Sequence, residues 1–109
     1  VPEPLQADDL PLGLFLQPAA PRDIIARMLR NLKELHRSHE DWQRLIAVLD
    51  RMVILLPTEW QELRDRGLAH AACGHHALAL QDLQAYLAHA GDAADAPEVE
   101  ERVRSLRKI

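Results

Sequence analysis

One helix-pair pattern occurs twice in this chain at an offset of 34 residues, and that period restricts the possible folds more than any other feature. Residues 29–57 match residues 63–91 in the spacing of their apolar positions, although few residues are identical. A helix pair of this kind has an apolar face that only a neighbouring pair can cover. The period therefore predicts an all-α, right-handed superhelix of stacked helix hairpins. The identical pairs across the offset are Leu29/Leu63, Arg30/Arg64, His36/His70 and Leu49/Leu83.

The second copy has small residues at the places where the helices of a hairpin come closest. Gly67 and Ala79 occupy the contact positions, and Gly74 falls at the turn between the helices. The equivalent positions of the first copy all hold larger residues: Lys33, Glu40 and Leu45. We therefore expect looser packing in the first hairpin.

Apolar periodicity and turn residues predict the helices themselves. The first helix begins near Pro21 and carries one apolar stripe that we expect to be buried. The second runs from Trp42 to Pro57, and the third ends near Cys73. The members of the stripe are Ile24, Ile25, Met28, Leu29, Leu32 and Leu35.

Several helix ends are predicted from local chemistry. Thr58 and Gln61 have the spacing of a capping box for the third helix. Gly91 predicts a left-handed end for the fourth helix. Asp95 opens a last helix whose other faces are charged, as a terminal cap requires. Residues 21–109 are thus expected to form two helix hairpins plus a C-terminal capping helix.

The N-terminal stretch differs in composition from the rest. Residues 1–21 hold five of the seven prolines, which excludes a continuous helix there. We interpret residues 1–20 as a linker, or as a wrap from an upstream domain, because Val1 in place of Met suggests a piece of a longer protein. The apolar run Leu10–Leu16 is expected to pack either on the helices or on another domain.

Composition excludes several classes of function. The 109 residues are 48% apolar, which is enough for the core of one domain. A net charge of −4 with interspersed signs argues against nucleic-acid binding. No apolar run reaches the roughly 18 residues of a membrane span. A single Cys excludes an internal disulfide and favours a cytoplasmic location.

Three sequence runs carry a resemblance to known proteins: PRDIIARMLRNLK from Pro21, DWQRLIAVLD from Asp41 and ELRDRGLAHA ending at Ala71. The chain resembles tetratricopeptide (TPR) repeats over about residues 18–107. More specifically, it resembles the C-terminal TPR region of the bacterial SirB family, whose members join a transglutaminase-like core to such repeats. The resemblance implies a non-catalytic module beside a core with a Cys, His and Asp constellation. None of those catalytic positions maps onto this chain.

A cluster of Cys73 with His70, His75 and His76 is the one candidate for metal or nucleophilic chemistry. Cys73 falls at the end of the third predicted helix, where the helix dipole favours the neutral thiol. The two adjacent histidines are not one helical turn apart, and there is no second Cys. We therefore expect structural or solvated roles here, with no catalytic residue, metal or cofactor.

In a TPR stack the first helix of each hairpin lines a concave surface. This surface can bind an extended or helical peptide with acidic groups, because Arg pairs well with carboxylates. Alternatively its arginines are solvated or form pairs such as Arg30 with Glu34. The concave-face candidates are Arg27, Arg30, Glu34, Arg37, Gln61, Arg64 and Leu68.

Two functional hypotheses follow. In the first, the chain is a protein-interaction module that presents its concave face to a protein or peptide. In the second, it is an intramolecular docking or regulatory domain of an adjacent transglutaminase- or protease-like core. The position of Leu10–Leu16 distinguishes them, since a filled concave face would leave no room for a peptide. The oligomeric state stays open.

Overall fold

The computed structural model describes residues 20–109, which confirm the predicted all-α fold of two helix hairpins followed by a C-terminal helix. Each helix packs against the next one along the chain. The predictions for residues 1–19, including the apolar run Leu10–Leu16, lie outside the described residues. The helices are α1 (Ala20–Ser38), α2 (Trp42–Leu55), α3 (Gln61–Ala72), α4 (His76–Ala90) and α5 (Ala96–Arg107).

The two hairpin turns have the same backbone geometry, 34 residues apart. Glu40 has a φ of 54° and Gly74 a φ of 81°, so both lie in the left-handed region. After each of them the backbone N–H of the next residue donates to a histidine carbonyl of the preceding helix, at 2.9 Å in both hairpins. Glu40 therefore adopts, with a side chain, the conformation that glycine adopts freely.

Each hairpin's apolar face is covered by the following unit. The first core cluster combines α1 and α2 with Ala69 of α3, and the second combines α4 with Val99, Val103 and Leu106 of α5. Leu49 and Leu83, which occupy the same repeat position, are both fully buried. Burial of such a side chain contributes about 1.5–3 kcal/mol, so stacking is what stabilises the hairpins.

The two repeats hold different kinds of residue at the position where the helices of a hairpin come closest. At Gly67 an added Cβ would lie 2.9 Å from Leu83 Cδ2, so α3 and α4 approach closely only because the residue is glycine. Lys33 occupies the equivalent place in α1, but its side chain extends to α3. Its Nζ lies 2.8 Å from Glu62 Oε1 and 2.6 Å from Asp65 Oδ2. The larger residue therefore connects the two hairpins.

The predicted burial of the α1 stripe is wrong for four of its six residues. Leu29 is buried and Ile24 is half-buried. Periodicity identifies the residues that share a helix face, but α1 is the first helix of the described stack and packs chiefly against α2. That face is therefore covered only along one edge. The exposed members are Ile25 (48%), Met28 (40%), Leu32 (39%) and Leu35 (48%).

Two predicted helix ends are also wrong. α3 begins at Gln61 without a side-chain cap, because Trp60 is already right-handed and the first N–H groups bond to the carbonyls of Glu59 and Trp60. The Thr58 capping box is therefore not formed. Gly91 has a φ of −64° and not a left-handed value, since the chain continues there in a right-handed turn.

Replacing Glu40 with glycine is expected to stabilise the protein by about 0.5–1 kcal/mol. The left-handed conformation costs a residue with a side chain about 1–2 kcal/mol, and part of this gain is offset by the greater freedom of glycine in the unfolded chain. The measurement is urea unfolding followed by circular dichroism. Glu40→Ala is the matched control, because it removes the charge but keeps the Cβ. Equal stabilities of the two variants would contradict a backbone origin.

Candidate functional site

A groove runs along α1, α3 and α5, and we call it the α1–α3–α5 groove. It consists of a cavity of about 400 Å³ between α1, α2 and α3, and one of about 330 Å³ between α3 and α5. Asp65, Leu68 and Arg102 line both cavities, so the two adjoin. The groove therefore lies on the side formed by the first helix of each hairpin, which is the predicted concave face.

The floor of the larger cavity is apolar. It is formed by one aromatic ring at the start of α2 and by small and aliphatic side chains, most of them on α3. Binding sites for peptides and small ligands are commonly lined in this way. The apolar lining residues are Trp42, Leu45, Leu68, Ala69, Ala71 and Ala72.

Lys33 lies at the wall of this cavity, but its charge is already compensated. The side chain is 13% exposed and contacts both Glu62 and Asp65. Burial lowers the pKa of the Lys33 ammonium, but hydrogen bonds to Asp65 and Glu62 outweigh this effect and raise the pKa above its ordinary value. Lys33 is therefore charged at neutral pH and acts as a link between α1 and α3.

Arg64 lines the second cavity, and its charge is also compensated by carboxylates. Its guanidinium lies 2.9 Å from Asp65 and 2.9 Å from Asp95, and 5.8 Å from the centre of the Tyr86 ring. The Tyr86 hydroxyl in turn donates a hydrogen bond to the carboxylate of Asp95. Burial lowers the pKa of Arg64, but the two carboxylates outweigh it and hold that pKa above its ordinary value. These contacts fix the wall of the groove between α3 and α5.

The structure brings three of the seven concave-face candidates, Arg37, Arg64 and Leu68, to the groove. Glu34 lines neither cavity, and it pairs with Arg37 at the i,i+3 spacing and not with Arg30, the pairing that the sequence analysis gave as an alternative. The three other candidates are exposed on α1 and α3 without lining either cavity: Arg27, Arg30 and Gln61.

Sequence reasoning missed Arg102 and the contribution of Trp42 to the groove. The offset contained a signal for the first, since Arg102 is 34 residues beyond Leu68 and occupies the same repeat position on α5. Trp42 packs on the first core cluster and also lines the cavity. Its double role follows only from the placement of α2 beside α3.

The histidine cluster belongs to a structural network on α3 and α4. Asp82, only 5% exposed, accepts two hydrogen bonds from Arg66 at 2.7 and 2.8 Å, and Arg66 also reaches Asp50 of α2. His70 Nε2 lies 3.9 Å from Asp82, and burial lowers the pKa of His70. Bidentate Arg pairs of this kind fix helix positions.

Cys73 is half-buried and forms the C-cap of α3, so it lies at the helix end, where it was predicted. Nδ1 of His70 lies 3.4 Å from Nδ1 of His75. Among residues 20–109 there is no group of three or more His, Cys, Asp or Glu side chains arranged to hold a metal ion. Within the same residues, none of the helices combines the length and apolar character needed to cross a bilayer.

The contact between Tyr86 and Asp95 predicts an elevated phenol pKa. The hydrogen bond to the carboxylate stabilises the neutral phenol, and burial acts in the same direction, so the pKa of Tyr86 lies above its ordinary value of about 10. Tyr86 is the only tyrosine in the chain, which allows its ionisation to be followed directly by ultraviolet absorbance. Asp95→Asn is expected to move the titration midpoint down, whereas the control Glu98→Gln is expected to leave it unchanged. An unchanged midpoint in Asp95→Asn would contradict the contact.

Comparison with known proteins agrees with this geometry. The family model described as tetratricopeptide repeat matches residues 32–104. Two relatives, both described as UPF0162 protein, come from Xylella fastidiosa strains Temecula1 and 9a5c. They are 42% and 41% identical over 80 residues, which cover 73% of this chain.

The chain spans 28% of the length of these curated relatives. No solved structure matches it. The family match covers more than half of the chain, and the two hairpins repeat their turns and core positions at the same 34-residue offset. The chain therefore belongs to the tetratricopeptide repeat family.

Proposed function

We propose that the chain is a protein-interaction module whose α1–α3–α5 groove receives a segment of a protein partner. The observation that carries this proposal is the apolar floor around Leu68 and Trp42, open to solvent on the concave side. An extended or helical segment is expected to insert one apolar anchor residue there, since buried anchors dominate the affinity of such contacts.

The electrostatics of the groove favour an anchor residue over a strongly acidic peptide. Lys33 and Arg64 are compensated by carboxylates within the protein, and Arg37 is paired with Glu34. Arg102 lies between the two cavities and makes no ion pair with another of the residues 20–109. It is therefore the residue that we expect to bind a single carboxylate of the partner.

The exposed candidates outside the cavities extend this surface. Arg27 and Arg30 on α1, and Gln61 on α3, would contact residues that flank the anchor. The complete proposed binding face thus combines the groove with the exposed sides of the first helices. Its specificity would come from apolar shape complementarity, with the flanking polar contacts setting orientation.

We infer further that the module is non-catalytic and acts within a longer, cytoplasmic protein. The greater length of the two relatives supports such a context. The resemblance to the SirB family suggests a transglutaminase-like core upstream, and residues 1–20 would then be the linker or wrap that follows it. No cofactor is required by this role.

Blocking the groove should abolish binding without unfolding the protein. Ala72 is exposed at the floor of the larger cavity, so Ala72→Arg fills the groove without disturbing the core. The probe is a peptide selected from a phage-displayed random library against the whole chain. We expect Ala72→Arg to raise the Kd at least about tenfold, which is about 1.4 kcal/mol. Binding is followed by tryptophan fluorescence, to which Trp42 at the groove and Trp60 both contribute.

Ala88→Arg is the matched control, because Ala88 is an exposed alanine on α4 outside both cavities. It is expected to change the Kd less than about twofold. Failure to select any peptide, or an equal loss of affinity in both variants, would refute binding in the groove.

Docking against another domain of a longer protein is a second candidate function. The exposed stripe of α1 favours it, because Met28, Leu32 and Leu35 are each about two-fifths to one-half exposed. Contiguous apolar surface of this kind marks interaction sites. In the longer protein, Leu32→Glu is then expected to reduce hydrogen-exchange protection of α1, while Ala72→Arg leaves it unchanged. Peptide capture predicts the opposite sensitivity.

A further inference from the structure

A second apolar groove lies at the opposite end of the first hairpin, between the beginning of α1 and the end of α2. We call it the α1–α2 groove. Its volume is about 500 Å³, and Ile54 at its edge is 80% exposed. An isoleucine so exposed beside an open apolar groove indicates a surface that another apolar segment covers. The apolar lining residues are Ile25, Leu29, Ile54, Leu55 and Pro57.

The groove lies directly beside the point where the chain enters the stack. α1 begins at Ala20, and Arg22 of its first turn lines the groove and donates a hydrogen bond to the carbonyl of Leu55. That bond holds the end of α2 against the start of α1. Any residues a few positions before Ala20 are therefore within reach of the groove.

We propose that the segment Leu10–Leu16 of the same chain packs in the α1–α2 groove. This segment reads LPLGLFL, so five of its seven residues are leucine or phenylalanine. Residues 17–19 link it to Ala20, where α1 begins, and three residues span at most about 10 Å at about 3.3–3.6 Å per residue. Pro18, which lies between the segment and α1, favours a change of chain direction there.

The segment is longer than the groove. Seven extended residues reach about 23 Å. The groove follows α1 from Arg22 to Leu29, which is a rise of about 10 Å at 1.5 Å per residue. The segment can therefore cover the full length of the groove with a few residues to spare.

Charge at the far end of the groove fits the residues that precede the segment. Arg51 of α2 lines the groove one turn before Leu55, and its guanidinium donates to the carbonyl of Ala47. Asp8 and Asp9 come immediately before Leu10. A segment that runs from Ala20 along the groove would leave it at the Arg51 end, so these carboxylates would follow on the side where opposite charges attract.

Disulfide trapping in the whole chain tests this placement. The background is Cys73→Ser, which removes the only native cysteine. Phe15→Cys is combined with Ile54→Cys at the α1–α2 groove, with Ala72→Cys in the α1–α3–α5 groove, or with Ala88→Cys on α4. All three helix positions are exposed, so none of these variants is expected to disturb the core.

The docked pair is expected to form fastest. A tethered but undocked cysteine has an effective concentration on the order of millimolar, so the Phe15→Cys and Ile54→Cys pair should close at least about tenfold faster than the Ala88→Cys control. Monomer and dimer are separated on a non-reducing gel after treatment with oxidised glutathione. An additional Leu14→Asp substitution, outside the described helices, should remove this advantage.

Three results would overturn the proposal. Faster closure with Ala72→Cys would place the segment in the concave groove. A cross-linked dimer through Ile54→Cys as the main product would assign the α1–α2 groove to a second copy of the chain. Equal, slow closure of all three pairs would mean that the segment packs on neither groove.

Discussion

The ammonium of Lys33 links the first helices of the two hairpins, and the shape of the α1–α3–α5 groove depends on it. α1 packs chiefly against α2, whereas its ion pairs to Glu62 and Asp65 hold it beside α3. Asp65 also contacts Arg64, which reaches Asp95 before α5. A chain of compensated charges thus runs along the first helices of the stack and positions the walls of the α1–α3–α5 groove.

The same repeat position is therefore used in two ways. In the second hairpin Gly67 lets α3 approach α4 directly, and the helices are held by apolar contact with Leu83. In the first hairpin Lys33 reaches across to the next unit. Gly67 thus brings the two helices of one hairpin close together, whereas Lys33 joins two hairpins. A buried ion pair is not in itself a large net source of stability, but it specifies which groups must meet.

The 34-residue offset was sufficient to predict the fold, because the repeated positions Leu49 and Leu83 are both central to their cores.

The offset could not predict which apolar faces are covered, since periodicity is identical for a buried and an exposed stripe. Ile25 and Leu35 were therefore expected inside and lie at the surface. Pairings between side chains on different helices, such as that of Arg66 with Asp82, depend on backbone placement and left no sequence signal. Part of the groove was predictable. Arg64 and Leu68 were expected there because the first helix of each hairpin lines the concave surface, whereas the place of Trp42 followed only from the structure.

A double-mutant cycle between Lys33 and Glu62 tests the link between the hairpins most directly. Lys33→Met leaves the buried carboxylate of Glu62 without its cation, and Glu62→Met leaves Lys33 with Asp65 as its remaining partner. The double variant removes both members of the Lys33–Glu62 pair. The free energy of unfolding is measured in urea for all four proteins. A coupling energy of about 1–3 kcal/mol, with the double variant more stable than the sum of the single losses implies, is the expected result. Additivity within about 0.3–0.5 kcal/mol would contradict a structural role for the Lys33 ion pair.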